Sequence, residues 1–380
     1  MRNLSIFLFL LLAILTIILF RNFLSPVIVK KPQPETELSN ETKTDYHVEV
    51  FVQDLYVPWS MAFTSKDRML VTERNGNIRV IENGVLNPSP LATFPEVSAT
   101  VEEGLMGLAI DPDYEKNKYL YVCLAYPRGD KLVDKVVLLK DEGKKASVQK
   151  TIIDNIPSAQ FHAGCRIKFG PDAKLYITTG DATERDLAQD KSSLAGKILR
   201  IEKDGSIPKD NPFPNSPIWS LGHRNPQGIA WQPDTNLLFE TEHGPTGGDE
   251  INIIKKGKNY GWPIVSHERT KPEFVSPKLV FTPAVAPASA LFYKSGKIPQ
   301  FKNNFFFGGL RGEGVFRVVI SDTNREKIVS NEKLKDIAVG RVRDIIEGPD
   351  GTIYFATSNR DGRGDPRRND DKILRISPTR

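Results

Sequence analysis

Cysteine is nearly missing from this 380-residue chain, which has only Cys123 and Cys165. Two such residues make no disulfide framework, no C-x-x-C pair and no thiolate metal cluster. Neither lies near the N-terminus, which excludes a lipidated cysteine anchor. Histidine is sparse too, with five residues, and the chain has no H-E-x-x-H. It also lacks a G-x-S-x-G elbow, a G-x-x-x-x-G-K-[ST] loop and a G-x-G-x-x-G turn, so the usual hydrolase and nucleotide-binding signatures are missing. Neither sign of charge dominates: 52 Lys and Arg against 47 Asp and Glu leave +5, and no long basic block occurs outside the termini. Nucleic acid is therefore not an expected partner.

A long apolar run occurs once, at residues 4–20, LSIFLFLLLAILTIILF, and Phe23 and Leu24 extend it beyond Arg21. At the α-helical rise it spans about 25 Å, close to a hydrocarbon core if Arg21 snorkels to the interface. Arg21-Asn22-Phe23-Leu24 offers no small-residue cleavage site, so an uncleaved membrane anchor is expected within residues 1–25. Residues 26–45, polar and proline-containing from Pro32 onward, read as a flexible linker.

Hydrophobic residues at 39%, with 20 Phe and 10 Tyr, supply a core for the rest. From Tyr46 onward the apolar segments are short and rich in β-branched and aromatic residues, as at 118–122, 175–178 and 352–356, which predicts an all-β domain over 46–380. One phrase recurs: IDPDYEKNKYLYV, FGPDAKLYITTGD, WQPDTNLLFETEHG and EGPDGTIYFATSN, with prolines at 112, 171, 233 and 349. Pro presets φ for a turn, and Asp bonds its own backbone. The spacing is about 60 residues with one double gap, filled by a degenerate copy at Lys302; another copy starts at Phe63. Six units of about 55 residues predict a six-bladed β-propeller of four-stranded blades. The alternative is a pair of β-sandwiches with coincidental Pro-Asp turns.

Polar residues gather in loops beside strand starts: His162 in FHAGCRIKFG, Arg224, Asn225 and Gln227 in LGHRNPQG, Arg311 in GGLRG, and Arg341 with Arg343 in GRVRD. On a propeller such loops converge at one end of the axis. Arg341 and Arg343, two apart, share one face of a strand. Several guanidiniums around one imidazole describe a pocket for a polyanionic ligand beside a proton acceptor.

Seven segments, in order, resemble the pyrroloquinoline quinone (PQQ) dependent soluble glucose and aldose sugar dehydrogenases: VPWSMAFTSKDRMLVTERNGNIRVI, EEGLMGLAIDPDY, HAGCRIKFGPDAKLYITTGD, LAGKILRIEKDGSIPKDNPF, LGHRNPQGIAWQPD, EHGPTGGDEINIIKKGKNYGWP and VAPASALFY. The resemblance implies a six-bladed propeller with PQQ over its central mouth, acting on aldoses at C1 to give a lactone and passing electrons to an external quinone or cytochrome. It implies that His162 is the general base and Arg224 stands at the reactive carbonyl, with Asn225 and Gln227 on the same cofactor-facing loop. Arg311, Arg341 and Arg343 would clamp the cofactor's carboxylates, with Glu102 on the cofactor side. Main-chain carbonyls of Gly244 and Pro245 would hold the cofactor's Ca²⁺, and Glu250 with the carbonyl of Tyr260 a second Ca²⁺. Ca²⁺ prefers such oxygen ligands. The sequence departs from the family at Cys165, where Gly is common, and at Thr282, where glucose-type members carry an aromatic residue. Members act outside the cytoplasm, so the domain is expected on the extracytoplasmic side of the cell membrane. Two other readings remain open: a non-enzymatic propeller that binds a ligand or protein, and a calcium-dependent lactonase.

Overall fold

The computed structural model describes residues 46–267, 269–335 and 337–379. The expected anchor and linker lie outside these residues. Among the described residues no helix is long and apolar enough to cross a membrane.

Strand β1 (Tyr46–Val52) is set aside for the end of the chain. The first blade is β2 (Pro58–Ser65), β3 (Arg68–Glu73), β4 (Asn77–Glu82) and β5 (Val85–Leu86), with β6 (Ala92–Thr93) also pairing to β4. Blade two is β7 (Leu105–Ile110), β8 (Tyr119–Arg128), β9 (Lys131–Asp141) and β10 (Ala146–Ser158). Blade three is β11 (Gly164–Phe169), β12 (Leu175–Thr179), β13 (Lys197–Ile201) and β14 (Ile218–Leu221). Blade four is β15 (Pro226–Trp231), β16 (Leu238–Glu242), β17 (Asp249–Ile254) and β18 (Leu279–Phe281). Blade five is β19 (Pro287–Phe292), β20 (Phe305–Gly309), β21 (Gly314–Ile320) and β22 (Ile328–Lys333). Blade six takes β23 (Val342–Glu347), β24 (Ile353–Thr357) and β25 (Ile373–Pro378), and β1 returns as its outer strand, Val48 facing Ile376. Each sheet is an antiparallel meander, and β2, β7, β11, β15, β19 and β23 neighbour one another in a ring. This is the expected six-bladed propeller, closed by the two ends of the domain.

The repeated phrase now has a structural reason. Each Pro-Asp turn joins an innermost strand to the next one outward. Asp172 takes the Lys174 N–H at 3.1 Å and the Tyr176 hydroxyl at 3.1 Å, and Asp350 takes the Thr352 N–H at 3.0 Å and the Tyr354 hydroxyl at 3.2 Å. One carboxylate thus closes the turn and ties it to the second strand.

Blades stack through apolar faces. Between blades four and five Phe239, Phe292, Phe305, Phe307 and Phe316 pack together, and between five and six Phe301, Phe306 and Phe355 join Ile345 and Ile353. Each buried Phe contributes about 1.5–3 kcal/mol. Near the axis the backbones approach closely. A side chain at Gly107 would meet the carbonyl of Cys165, and one at Gly228 would meet Ala288, so glycine is required there.

The two cysteines, left without a role by their sequence spacing, form a disulfide between β8 of blade two and β11 of blade three, with Cα atoms 5.9 Å apart. It is buried, in the core shared by those blades.

Candidate functional site

The loops that enter the innermost strands and those that join second to third strands meet at one end of the ring. Between them lies a cavity of about 420 Å³. Its walls include Glu102, His162, Arg224, Asn225, Gly244, Pro245, Arg311, Arg341 and Arg343. A larger hollow of about 810 Å³ over Lys174, Lys203 and Lys209, on the blade-three loops, contains none of these residues.

His162 sits in a tight turn with φ of 59° immediately before β11. Its main-chain N–H donates to Glu102 at 2.9 Å, and its Nδ1 lies 2.7 Å from Asp181 Oδ1. Asp181, fully buried in the β12–β13 loop, also accepts the Thr183 N–H and the Trp262 Nε1–H, both at 2.8 Å. A carboxylate at Nδ1 fixes the tautomer and leaves Nε2 as the proton acceptor toward the cavity. Burial works against ionisation of Glu102, but His243, the His162 N–H, Arg363 and Arg343 outweigh it and hold its carboxyl below the usual range. Glu102 also pairs with Arg363 at 2.9 Å.

With Arg363, four further arginines from blades four to six line the cavity: Arg224, Arg311, Arg341 and Arg343. Arg224 donates to the His243 carbonyl at 3.0 Å and lies over the Trp262 ring. Arg343 donates to Gln227 at 3.0 Å, and Gln227 in turn to Asn225 at 2.9 Å, so Gln227 lies beneath the cavity wall and supports it. Burial, with Arg341 nearby, pushes the Arg343 guanidinium down to about 10 despite Asp361. Arg224 and Arg343 each keep a buried Nε without a hydrogen-bond partner among the described residues. Arg341 differs: Asp361 already pairs with it at 2.7 Å, and its other branch reaches the Leu310 carbonyl at 3.0 Å. Arg311 is exposed at the rim.

Gly244 and Pro245 line the cavity from the β16–β17 loop. Asp249 shapes that loop by accepting the N–H groups of Gly244, Val285 and Ala286 at 2.8, 2.7 and 2.7 Å. Glu250 and Tyr260 do not line the cavity; they border a small hollow behind it, together with Glu242 and Gly244. Carboxylates crowd this region. Burial and Glu242 push Glu250 up to about 8, and burial raises Glu240 well above its ordinary value. Glu240 Oε1 and Asn252 Oδ1 are buried without hydrogen-bond partners among the described residues. His223, Glu240 and Glu242 bring ligand atoms within 4.8 Å of one another, although His223 already bonds Glu242 at 2.9 Å. Buried carboxylates that resist ionisation for want of a positive partner, with orphaned oxygens beside them, suit a hard cation.

Sequence reasoning missed Asp181, His243, Asp249, Trp262 and Arg363. Two had a signal: Asp181 ends the phrase ITTGD, and Asp249 stands in GGDEIN. Trp262 lies under the Arg224 guanidinium and holds Asp181 through its indole N–H.

The model of the glucose/sorbosone dehydrogenase family matches residues 55–374. The chain belongs to this family. The aldose sugar dehydrogenase YliI of Escherichia coli is 33% identical over 356 residues, covering 87% of this chain and 93% of that protein. Among solved structures, a glucose dehydrogenase-like oxidoreductase of Thermus thermophilus is 39% identical with a TM-score of 0.80, covering 87% of this chain and 99% of its own. The PQQ-bound aldose sugar dehydrogenase of Streptomyces coelicolor is 32% identical with a TM-score of 0.77, covering 87% and 98%. This member of the PQQ-dependent soluble glucose and aldose sugar dehydrogenases is accordingly an oxidoreductase.

Proposed function

We propose that this enzyme oxidises aldoses at C1 to the lactone, with His162 as the base. The observation that carries the reading is the His162–Asp181 pair facing an arginine-lined cavity. The donor set fits PQQ, whose three carboxylates need guanidinium partners, because Arg224 and Arg343 retain unpartnered donors and Arg311 stands open at the rim. Arg311, Arg341 and Arg343 would hold the cofactor, with Asn225 and Gln227 supporting them. When bound, PQQ supplies the quinone that accepts the hydride from C1.

The chain's own residues supply the rest. His162 Nε2 takes the proton of the anomeric hydroxyl, and Asp181 steadies the imidazolium that forms. Arg224 places positive charge where negative charge develops. Calcium would be held by the carbonyls of Gly244 and Pro245 at the cavity, polarising what binds there, and a second ion by Glu250 and the Tyr260 carbonyl, offsetting the buried carboxylates. Turnover then requires an external electron acceptor, a quinone or cytochrome.

The apolar run at 4–20 and the oxidised cysteine pair support a membrane-tethered domain outside the cytoplasm, where disulfides persist. The lactonase reading gains nothing from the carboxylate cluster, whose members are in blade four and the loop before it and do not line the cavity that holds His162. The test is the absorbance of the purified protein with PQQ and Ca²⁺ before and after adding aldoses. Bleaching of an oxidised quinone band supports the reading, and an unchanged spectrum with every aldose tried removes it.

A further inference from the structure

We infer that the Cys123–Cys165 disulfide is a positioning element for the catalytic turn, holding His162 in register with blade two. Cys165 stands three residues after His162, and the intervening path is unfavourable. His162, Gly164 and Cys165 have φ of 59°, 68° and 67°, a left-handed region that non-glycine side chains disfavour. The sheet does little to hold this path. Pairing of β11 with β12 runs from Gly164–Thr179 directly to Ile167–Ile177, so Cys165 and Arg166 fall in a bulge.

Outside the sheet, His162 is held by its N–H to Glu102 and its imidazole to Asp181, Gln160 by its carbonyl to the Glu102 N–H, Cys165 by the bond to Cys123, and Arg166 by Ser60, Gln227 and Asp344. Glu102 stands in the loop that enters blade two, and the covalent bond joins the path to β8 of that blade. The cofactor-facing arginines belong to blades four to six, so the base and the clamp are carried by different parts of the ring. Their relative placement must hold to a fraction of an ångström, since a displacement of about 1 Å can cost a hundredfold in rate. Glycine at 107 lets the β7 backbone lie against the Cys165 carbonyl, so the half-cystine sits where blades two and three approach closely. Both half-cystines are buried, at 0% and 1% exposure, which fits a permanent staple better than a switch open to solvent thiols.

This inference rests on the reading of His162 as the base, and the experiment separates the two. The variant Cys123→Ala/Cys165→Gly removes the bond and relieves the left-handed residue. In cofactor-free protein, amide exchange across residues 159–166 should accelerate about tenfold or more while residues 175–179 stay protected. In PQQ- and Ca²⁺-loaded protein, kcat should fall about tenfold or more, with KM for the aldose and PQQ affinity within about twofold of wild type. Unchanged exchange at 159–166, or unchanged kcat with only a lower Tm, would overturn the proposal. Should the variant not fold, the same two readings are taken on wild type opened after folding by a dithiol, which supplies the two electrons and two protons that turn the bond into thiols. A parallel His162→Ala protein that turns over like wild type would sink the base reading, and the exchange result would still decide whether the bond holds the turn.

Discussion

At the scale of single residues, the site works by what each charged group lacks or shares. Asp181 spends its carboxylate on three donors, one of them the imidazole of His162. Asp181→Asn can turn an amide N–H toward Nδ1 and so favour the tautomer whose Nε2 cannot accept a proton. We expect kcat to fall up to about a hundredfold, with PQQ affinity retained. Steady-state kinetics with saturating cofactor checks this, and a loss confined to KM would contradict it. Among the described residues Arg343 pairs with no carboxylate; it donates to Gln227 and lies over the Trp59 ring. Arg343→Ala should therefore cost about 1.5–3 kcal/mol of PQQ affinity, roughly ten- to a hundredfold, read by titrating cofactor-free protein. The Arg341–Arg343 spacing already placed both on one face in the sequence. What it could not show is that Asp361, from another loop, already neutralises one of them.

At the scale of elements, the Pro-Asp turns were legible because they solve a local problem, and at Asp172 and Asp350 the turn's own carboxylate closes it. Contacts between loops were not. Asp181 reaches His162 only because the β12–β13 loop folds back over the start of β11, and the cysteines, 42 residues apart, meet only because blades two and three stand side by side. The β16–β17 hairpin shows the same limit. Glu242 and Glu250 oppose each other across its strands, and with Glu240 they concentrate acid that the sequence presented as separate residues. If calcium resolves that charge, it stabilises only the folded state. A chelator should lower the Tm of wild type more than that of Glu250→Gln, and equal drops in calorimetry would remove Glu250 from the ligand set.

For the whole molecule, six similar sheets make a rigid ring, and each contributes one or two loops to one end. The ring was readable from the recurrence of one phrase, although the copy at Lys302 is degenerate. Closure by β1 pairing with β25 brings together residues more than 300 apart, such as Glu49 and Arg375 at 2.7 Å. Protease added to intact cells should digest the domain if it is displayed outside the cytoplasm, whereas digestion only after lysis would place it inside. The role proposed for His162 is to remove the substrate proton in a cavity that PQQ would fill. Stopped-flow absorbance of PQQ- and Ca²⁺-loaded protein mixed with an aldose tests it most directly. Wild type should reduce its cofactor rapidly and His162→Ala about 10² to 10⁴ times more slowly with cofactor still bound; near-wild-type reduction in a folded, loaded His162→Ala protein would contradict the account.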